Sequence, residues 1–317
     1  MTAKKIAFLF PGQGAQYVGM GGELYSKFTE AREVFEAANQ ILGFSISDIC
    51  FKGPEDILTD TKNAQLGIFL TSIATLRVLK SLHPSLKPDL TCGLSLGEFS
   101  ALVASGSLKL EDGIRLVRKR GELMTSAAKQ NPGTMASVLG LSASDCQLIC
   151  EKTGAQVANI NSPEQMVLSG TKESISVSCS EAQARGGKAI LLKVSGAFHS
   201  RLMEPAKAGL VEALGAVKID TPTCSFVPNV TGQITSDQSQ IKKLLGRQIV
   251  ESVQWVSTMK TLTDFGITDA FEIGPGKVLK GLAKRCGTTF EVTNIETESN
   301  IQQTIKMMEE KYAQSGK

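Results

Sequence analysis

The segment Gly93-Leu94-Ser95-Leu96-Gly97 constrains the fold of this chain more than any other. It lies between a short apolar stretch that ends at Cys92 and a stretch of helical character that begins at Glu98. Gly-x-Ser-x-Gly between a strand and a helix is typical of a sharp turn that exposes a serine hydroxyl at the helix N-terminus. Glycines two residues to either side allow such a turn to close without Cβ clashes. We therefore predict that Ser95 is a nucleophile, placed where backbone N–H groups and the helix dipole stabilise an oxyanion.

A nucleophilic serine needs a base, and the chain contains only two histidines. A serine hydroxyl is a weak nucleophile until a neighbouring group takes its proton, and histidine is the usual base near neutral pH. His83 precedes a proline at the end of a long helical stretch, which is typical of a solvent-facing helix end. His199 follows a predicted strand and precedes a predicted helix, where an ordinary capping histidine would also fit. If a histidine activates Ser95, elimination assigns that role to His199.

Composition limits the class of protein. The 317 residues are 42% hydrophobic and 21% charged, which is ordinary for a globular protein of one or two domains. The formal net charge is +3 with both signs interspersed, which argues against a nucleic-acid or membrane surface. There is no run of 18 apolar residues, and the N-terminal segment lacks the apolar region of a signal peptide. Seven cysteines without a Cys-x-x-Cys pair favour reduced thiols, no metal and a cytoplasmic protein. We expect a monomer, because the sequence reveals no exposed apolar patch.

The order of predicted elements indicates an α/β fold with an insertion. An apolar strand at residues 5–10 is followed mainly by helices and by the Ser95 turn, up to about residue 130. Residues 134–194 predict the order β-α-β-β-α-β, which is that of a ferredoxin-like unit, and a strand at 269–273 closes the larger sheet. We therefore predict a large domain of residues 1–130 and 199–317, with an inserted ferredoxin-like small domain at 131–198. Ser95 and His199 would meet at the junction of the two, a common place for a substrate cleft.

The helical wheel of residues 111–128 separates one arginine from its basic neighbours. At 100° per residue, Arg120 falls in the centre of the apolar stripe, whereas Arg115, Arg118 and Lys119 fall outside it. A buried guanidinium needs an anionic partner, because an unpaired buried charge is costly. The partner is either an internal Asp or Glu or the carboxylate of a substrate, and the wheel does not decide between them.

Two glycine-rich loops show no nucleotide-binding pattern. After the first strand, a dinucleotide fingerprint would need glycine at position 17, which is Tyr17. The glycine-flanked Gln13 in that loop either lends a backbone N–H to an oxyanion hole or belongs to a plain turn. The loop Gly274-Pro275-Gly276-Lys277 lacks the spacing of a phosphate-binding loop. We expect no cofactor.

Seven motifs together resemble those of the malonyl-CoA:acyl-carrier-protein transacylases. They follow that family's order and spacing from about residue 5 to residue 282: Phe10–Gln16, Gly93–Glu98, Asn161–Pro163, Gly196–Ser200, Pro228–Gly232, Val253–Trp255 and Glu272–Leu279. The resemblance implies an α/β-hydrolase-like large domain that carries the ferredoxin-like small one. It also implies malonyl-CoA and acyl carrier protein as partners.

The resemblance assigns roles to the catalytic residues. Ser95 would attack the thioester of malonyl-CoA, and His199 would take its proton while the backbone carbonyl of Gln254 orients the imidazole. The N–H groups of Gln13 and Leu96 would form the oxyanion hole. Malonyl would rest on Ser95 as an oxygen ester and then pass to the phosphopantetheine thiol of acyl carrier protein.

The resemblance also assigns substrate-binding residues. Arg120 would pair with the malonyl carboxylate, and Gln65 and Asn161 match positions near the site. Phe198 matches the family members that select malonyl. Leu94 departs from the family, which commonly has histidine before the nucleophile; because that residue is not the base, we expect activity to survive.

Two other functions compete with this hypothesis. The first is a serine thioesterase or esterase, although those folds usually place histidine near the C-terminus, and a neutral acyl chain has no use for the buried Arg120. The second is a non-catalytic module that docks acyl carrier protein, which would need neither Ser95 nor His199. Substitution of Ser95 by alanine separates a docking module from an enzyme.

Overall fold

A computed structural model describes residues 4–313 of the chain. The N-terminal residues 1–3, on which part of the signal-peptide expectation rests, lie outside the described residues, as do residues 314–317. Five strands form a parallel sheet in the order β7-β2-β1-β8-β9: β1 (Ile6–Phe10), β2 (Leu90–Gly93), β7 (Ser225–Val227), β8 (Asp269–Ile273) and β9 (Glu291–Ile295). Four strands form an antiparallel sheet in the order β4-β5-β3-β6: β3 (Thr134–Leu139), β4 (Gln156–Ser162), β5 (Gln165–Gly170) and β6 (Lys188–Leu191).

The helices divide between the two sheets. Those before β3 are α1 (Gly22–Lys27), α2 (Thr29–Leu42), α3 (Ile46–Lys52), α4 (Glu55–Thr59), α5 (Thr61–Leu82), α6 (Gly97–Ala104) and α7 (Leu110–Gln130). Two helices belong to the antiparallel sheet: α8 (Ala143–Thr153) and α9 (Lys172–Ala184). After a 3₁₀ turn at Arg201–Met203 come α10 (Glu204–Ala216), α11 (Gln238–Gln248), α12 (Trp255–Phe265), α13 (Val278–Cys286) and α14 (Glu298–Ala313).

The parallel sheet is buried on both faces, as its first strand shows. All five residues of β1 are buried, and their side chains alternate between two clusters. Phe8 and Phe10 pack with the helices before β3, whereas Ala7 and Leu9 pack with α12 and α13. Side chains of a strand point alternately to opposite faces, so a continuous apolar run is what a sheet covered by helices on both sides requires.

The prediction of a β-α-β-β-α-β order is confirmed for the segment from β3 to β6. A reciprocal hydrogen-bonded cap at Ser142 begins α8: Ser142 Oγ accepts the N–H of Asp145, and Asp145 accepts the N–H of Ser142. The helices α1 and α2 are separate, because Phe28 adopts an extended conformation between them.

A short chain segment after α11 connects the two sheets. Val253 pairs with the edge strand β4: the N–H of Ile160 donates to the carbonyl of Val253 at 2.9 Å, and the N–H of Val253 donates to the carbonyl of Ala158 at 2.8 Å. The hydroxyl of Ser252 adds a hydrogen bond to the carbonyl of Val157. These main-chain contacts attach the antiparallel sheet to the part of the chain that surrounds the parallel one. Within residues 4–313, none of the helices combines the length and apolar character needed to cross a bilayer.

Candidate active site

Ser95 occupies a sharp turn between β2 and α6. Its φ of 52° lies in the left-handed region, which is uncommon for a residue with a side chain and is typical of functional turns. A Cβ at Gly93 would lie 2.1 Å from the carbonyl carbon of Gly97, and a Cβ at Gly97 would lie 2.1 Å from the carbonyl oxygen of Phe10. The turn therefore needs glycine at both positions, because a Cβ at either one would clash with backbone atoms that cannot move aside.

The side chain of Asn229 holds this turn in place. Its Oδ1 accepts the N–H of Ser95 at 2.6 Å, and its Nδ2 donates to the carbonyl of Gly93 at 2.6 Å. Asn229 is fully buried beyond the end of β7. The sequence shows this residue only as part of a motif, and the structure gives it a specific role as a clamp on the nucleophile's backbone.

His199 faces Ser95 and is held from its other side. Its Nε2 lies 2.8 Å from Ser95 Oγ, and its Nδ1 lies 2.7 Å from the carbonyl oxygen of Gln248. Because a carbonyl oxygen only accepts, Nδ1 carries the proton and Nε2 is free to accept the serine proton. Burial, with the nearby charge of Arg120, lowers the pKa of His199 to about 4, so the imidazole is neutral at neutral pH.

The assignment of Gln254 as the residue that orients His199 is wrong. Gln254 lies at the N-cap of α12, where its carbonyl accepts the N–H of Thr258 at 2.9 Å and the hydroxyl of Thr258 at 3.0 Å. The carbonyl that holds His199 belongs to Gln248, the last residue of α11. The last carbonyl groups of a helix lack intrahelical partners, so this one is available to a side chain.

Arg120 is buried beside the nucleophile, as the helical wheel predicts. Only 1% of it is exposed, and its guanidinium donates to three neutral oxygens. Nη1 lies 2.7 Å from Gln65 Oε1, while Nη2 lies 3.0 Å from Gln248 Oε1 and 3.0 Å from Ser95 Oγ. Burial lowers the pKa of Arg120 to about 10, which leaves it cationic at neutral pH. Among the described residues, no carboxylate forms an ion pair with it.

Glu98 and Gln248 complete the polar group behind the nucleophile, and sequence reasoning missed both. Gln248 Nε2 donates to Glu98 Oε2, and it also donates to the carbonyl of Ser95 at 2.8 Å. The other carboxylate oxygen, Glu98 Oε1, has no hydrogen-bond partner within the described part of the chain. Burial raises the pKa of Glu98 to about 7, opposed by the hydrogen bond from Gln248, the N–H of Asn229 and the charge of Arg120.

The two expected oxyanion-hole residues lie in adjacent loops. Gly12 approaches the Ser95 turn so closely that a Cβ there would lie 2.3 Å from the carbonyl oxygen of Leu94, which brings the Gln13 loop against the nucleophile. Of residues 4–313, none accepts a hydrogen bond from the backbone N–H of Gln13 or Leu96. Both N–H groups are therefore available to an oxyanion beside Ser95.

These residues open into a cavity of about 520 Å³ between the two sheets. Gln13 and Ser95 line it from the loops of the parallel sheet. Residues of the antiparallel sheet line the opposite side, together with Phe198: Met135, Ser137, Asn159, Asn161 and Val167. Leu94 also lines the cavity, where it contributes an apolar surface.

The remaining predicted residues take positions at and behind the cavity. Gln65 is fully buried behind Arg120, with its Nε2 3.3 Å from Met124 Sδ. Asn161 lines the cavity, and its Oδ1 has no hydrogen-bond partner among residues 4–313. His83 caps the C-terminal end of α5, where its Nδ1 pairs with Ser85 Oγ, and it does not line the cavity. All seven cysteines are free, and no cluster of possible metal ligands occurs among the described residues.

The chain matches known proteins along nearly its full length. The family model described as the acyl transferase domain matches residues 7–309. A malonyl CoA-acyl carrier protein transacylase of Bacillus subtilis (strain 168) is 39% identical over 312 residues, which cover 96% of this chain and 98% of the relative. The protein of the same name from Staphylococcus aureus (strain MRSA252) is 37% identical over 303 residues, 94% of this chain and 97% of the relative.

Solved structures agree with this similarity. The crystal structure of a malonyl CoA-acyl carrier protein transacylase from Clostridium perfringens superposes with a TM-score of 0.94 at 35% identity, covering 99% of this chain and 100% of that one. A malonyl-transacylase in complex with a type II PKS acyl-carrier protein superposes with a TM-score of 0.92 at 32% identity, covering 96% of this chain and 99% of that one. The chain therefore belongs to the acyl transferase family, among the malonyl-CoA:acyl-carrier-protein transacylases.

Proposed function

We propose that this enzyme transfers the malonyl group of malonyl-CoA to the phosphopantetheine thiol of acyl carrier protein, through a malonyl ester on Ser95. The observation that carries the proposal is the buried guanidinium of Arg120, 3.0 Å from Ser95 Oγ and hydrogen-bonded only to neutral groups. A cation held in this way next to a nucleophile suits an acyl group that brings its own carboxylate. The relatives that share the name of malonyl transacylase support the same substrate.

In the first half-reaction, Ser95 Oγ attacks the thioester carbonyl carbon while His199 Nε2 takes the hydroxyl proton. The backbone N–H groups of Gln13 and Leu96 donate to the oxyanion. Collapse of the tetrahedral intermediate breaks the carbon–sulfur bond, and His199 returns its proton to the departing thiolate of coenzyme A. Malonyl remains on Ser95 as an oxygen ester.

In the second half-reaction, the same groups act in reverse. The thiol of acyl carrier protein gives its proton to His199 and its sulfur attacks the ester carbonyl. The carbon–oxygen bond then breaks, and Ser95 Oγ recovers the proton from His199. The carbonyl of Gln248 keeps the imidazole oriented in both halves, because its hydrogen bond to Nδ1 is the same in either direction.

Recognition of the acyl group rests on a small set of side chains. Arg120 takes the malonyl carboxylate, and Gln65 keeps the guanidinium in position through its Oε1. Phe198 borders the cavity beside His199 and limits the space for a branch on the malonyl carbon. Asn161 lines the cavity from the antiparallel sheet, where it would contact the incoming thioester chain.

We also propose that the fold is an α/β-hydrolase-like large domain of residues 1–130 and 199–317, with a ferredoxin-like small domain at 131–198. The strand order β4-β5-β3-β6 with antiparallel neighbours supports the small domain, since it is the order that such a β-α-β-β-α-β unit adopts. We expect the protein to act as a cytoplasmic monomer.

The test is the mass of the intact protein after brief exposure to malonyl-CoA, followed by addition of acyl carrier protein. We expect a malonyl-sized gain that localises to Ser95 and then moves to the carrier. Ser95→Ala is the control and should show no gain.

Two outcomes would contradict the proposal. A gain that decays equally fast without the carrier would indicate a thioesterase. A wild-type protein that gains no mass, yet binds acyl carrier protein as well as Ser95→Ala does, would indicate a docking module.

A further inference from the structure

Among the described residues, Arg120 is the charged side chain that is hydrogen-bonded to Ser95, and it makes no ion pair of its own. Between substrates, a buried cation without a counter-charge would be costly. The nearest carboxylate in its hydrogen-bond network is that of Glu98, on the first turn of α6. Glu98 is 1% exposed, so solvent does not compensate its charge.

Gln248 connects these two charges. Its Oε1 accepts from Arg120 Nη2 at 3.0 Å, and its Nε2 donates to Glu98 Oε2. An amide oriented in this way presents its negative end to the cation and its positive end to the anion. Arg120 and Glu98 thus form an indirect ion pair in which the side-chain amide of Gln248 is hydrogen-bonded to both charges.

A malonyl carboxylate bound at Arg120 would change the balance between the positive charge of Arg120 and the negative charge of Glu98. The site would then hold two carboxylates and one guanidinium, and Glu98 Oε1 has no hydrogen bond with which to disperse its charge. Like charges that share one cation disfavour each other's ionised form.

We propose that Glu98 is the resident counter-charge of Arg120 and that, acting through Gln248, it competes with the substrate carboxylate. Glu98 is therefore a positioning residue that sets how strongly the site prefers a charged acyl group over a neutral one. The inference rests on the proposed function, since it needs a substrate that brings a carboxylate.

The charge of Glu98 is adjustable near neutral pH, because burial raises its pKa to about 7. The titratable groups that face it are Arg120 on α7, His199 through the Gln248 carbonyl and Cys92 on β2. Burial raises the pKa of the Cys92 thiol beyond this range, and Arg120 stays cationic. His199 acts on all substrates alike.

The test is the ratio of kcat/KM for malonyl-CoA to kcat/KM for acetyl-CoA, followed from pH 6 to pH 8.5. Acetyl-CoA has no carboxylate, so the ratio cancels the titration of His199 and retains that of Glu98. Protonated Glu98 does not compete, so malonyl preference is highest at low pH and falls as pH rises through about 7. We expect a fall of about tenfold in the wild type, because a like charge a few ångströms away in a partly dry site has this order of effect.

Two variants separate charge from structure. Glu98→Gln keeps the size and an acceptor for Gln248 Nε2 but removes the charge, so we expect its ratio to stay flat at the wild-type low-pH value. Glu98→Asp keeps the charge and should restore the fall with pH.

The outcomes distinguish this inference from the proposed function. If the wild-type ratio does not change with pH while Ser95 is still malonylated, the role of Glu98 is wrong and the transferase function stands. This outcome is measured on the wild type alone, so it does not depend on whether Glu98→Gln folds. If Glu98→Gln keeps the wild-type fall, the inference is also overturned. If the wild type forms no malonyl ester, the proposed function fails first.

Discussion

At the nucleophile, one cation and one neutral base lie on either side of the same hydroxyl. Arg120 donates to Ser95 Oγ, and His199 Nε2 accepts from it. In the mechanism we propose, the two contacts differ in purpose: His199 would move a proton for any thioester, whereas Arg120 would matter only when the acyl group is charged. A change at Arg120 should therefore alter substrate choice more than chemistry.

We expect Arg120→Ala to lower malonyl transfer by roughly 100-fold, since removing one partner of a buried charge pair costs several kcal/mol. Transfer of the neutral acetyl group should rise relative to malonyl, because no unpaired cation remains beside it. The measurement is the rate of Ser95 acylation with each thioester. Arg115→Ala, an exposed position on the same helix, is the matched control. Equal loss with both substrates would refute the carboxylate role of Arg120.

The same helical geometry explains what the sequence reveals about single residues and what it does not. Arg120 stands out because α7 has a clear apolar stripe that it interrupts. Gln248 interrupts the stripe of α11 in the same way, three or four residues after the buried Leu244 and Leu245. The helix α11 is not among the elements predicted from the sequence, and the family resemblance implies Gln254, whose carbonyl serves α12 instead.

At the scale of the elements, the Ser95 turn depends on a close backbone contact between the start of α6 and the end of β1. Gly97 begins α6 directly over the carbonyl of Phe10 at the end of β1. The position of Ser95 is therefore fixed by the sheet beneath it, and the turn cannot adjust without moving a central strand.

We expect Gly97→Ala to destabilise the protein by about 2 kcal/mol and to abolish acylation, because the added methyl group meets a backbone oxygen that cannot move. Gly215→Ala is the control, since nothing lies within 4 Å of the added atom at that position near the end of α10. It should be neutral or should stabilise α10 by about 0.5–1 kcal/mol. Thermal unfolding and Ser95 acylation measure both effects. A Gly97→Ala protein with wild-type acylation would contradict this account of the turn.

Fully buried or strongly periodic elements follow the sequence prediction closely, whereas the edge strands of the parallel sheet do not. The strand at Asp269–Ile273 and the helix α7 occur where the periodicity predicts them. The edge strands β7 and β9 were not predicted. β7 has only three residues, too few to show an alternation, and β9 buries two of its five. Both strands form because they pair with a neighbouring strand, β7 with β2 and β9 with β8. Such pairing depends on tertiary structure and leaves no pattern in the local sequence.

At the scale of the whole molecule, the pairing of Val253 with β4 decides how the cavity can open. Separation of the two sheets at this point would break two main-chain hydrogen bonds, one on each side of Val253. We therefore expect the amides of Ile160 and Val253 to exchange with deuterium as slowly as those of β1. They should remain equally protected while malonyl-CoA is being turned over. The amide of Glu164, exposed in the turn between β4 and β5, provides the fast-exchanging reference. Loss of protection at Ile160 during turnover would show that the sheets part in each cycle.

The segment that begins at Gln248 and reaches Val253 has a consequence for how this protein can change. Its first residue aims the base at the nucleophile, and its last residues attach the antiparallel sheet. The number of residues between these two contacts is therefore constrained. A residue inserted or deleted there would move the Gln248 carbonyl away from the His199 imidazole, or would shift the pairing of Val253 with β4. We therefore expect insertions and deletions to be tolerated in exposed loops elsewhere in the chain, but not between Gln248 and Val253.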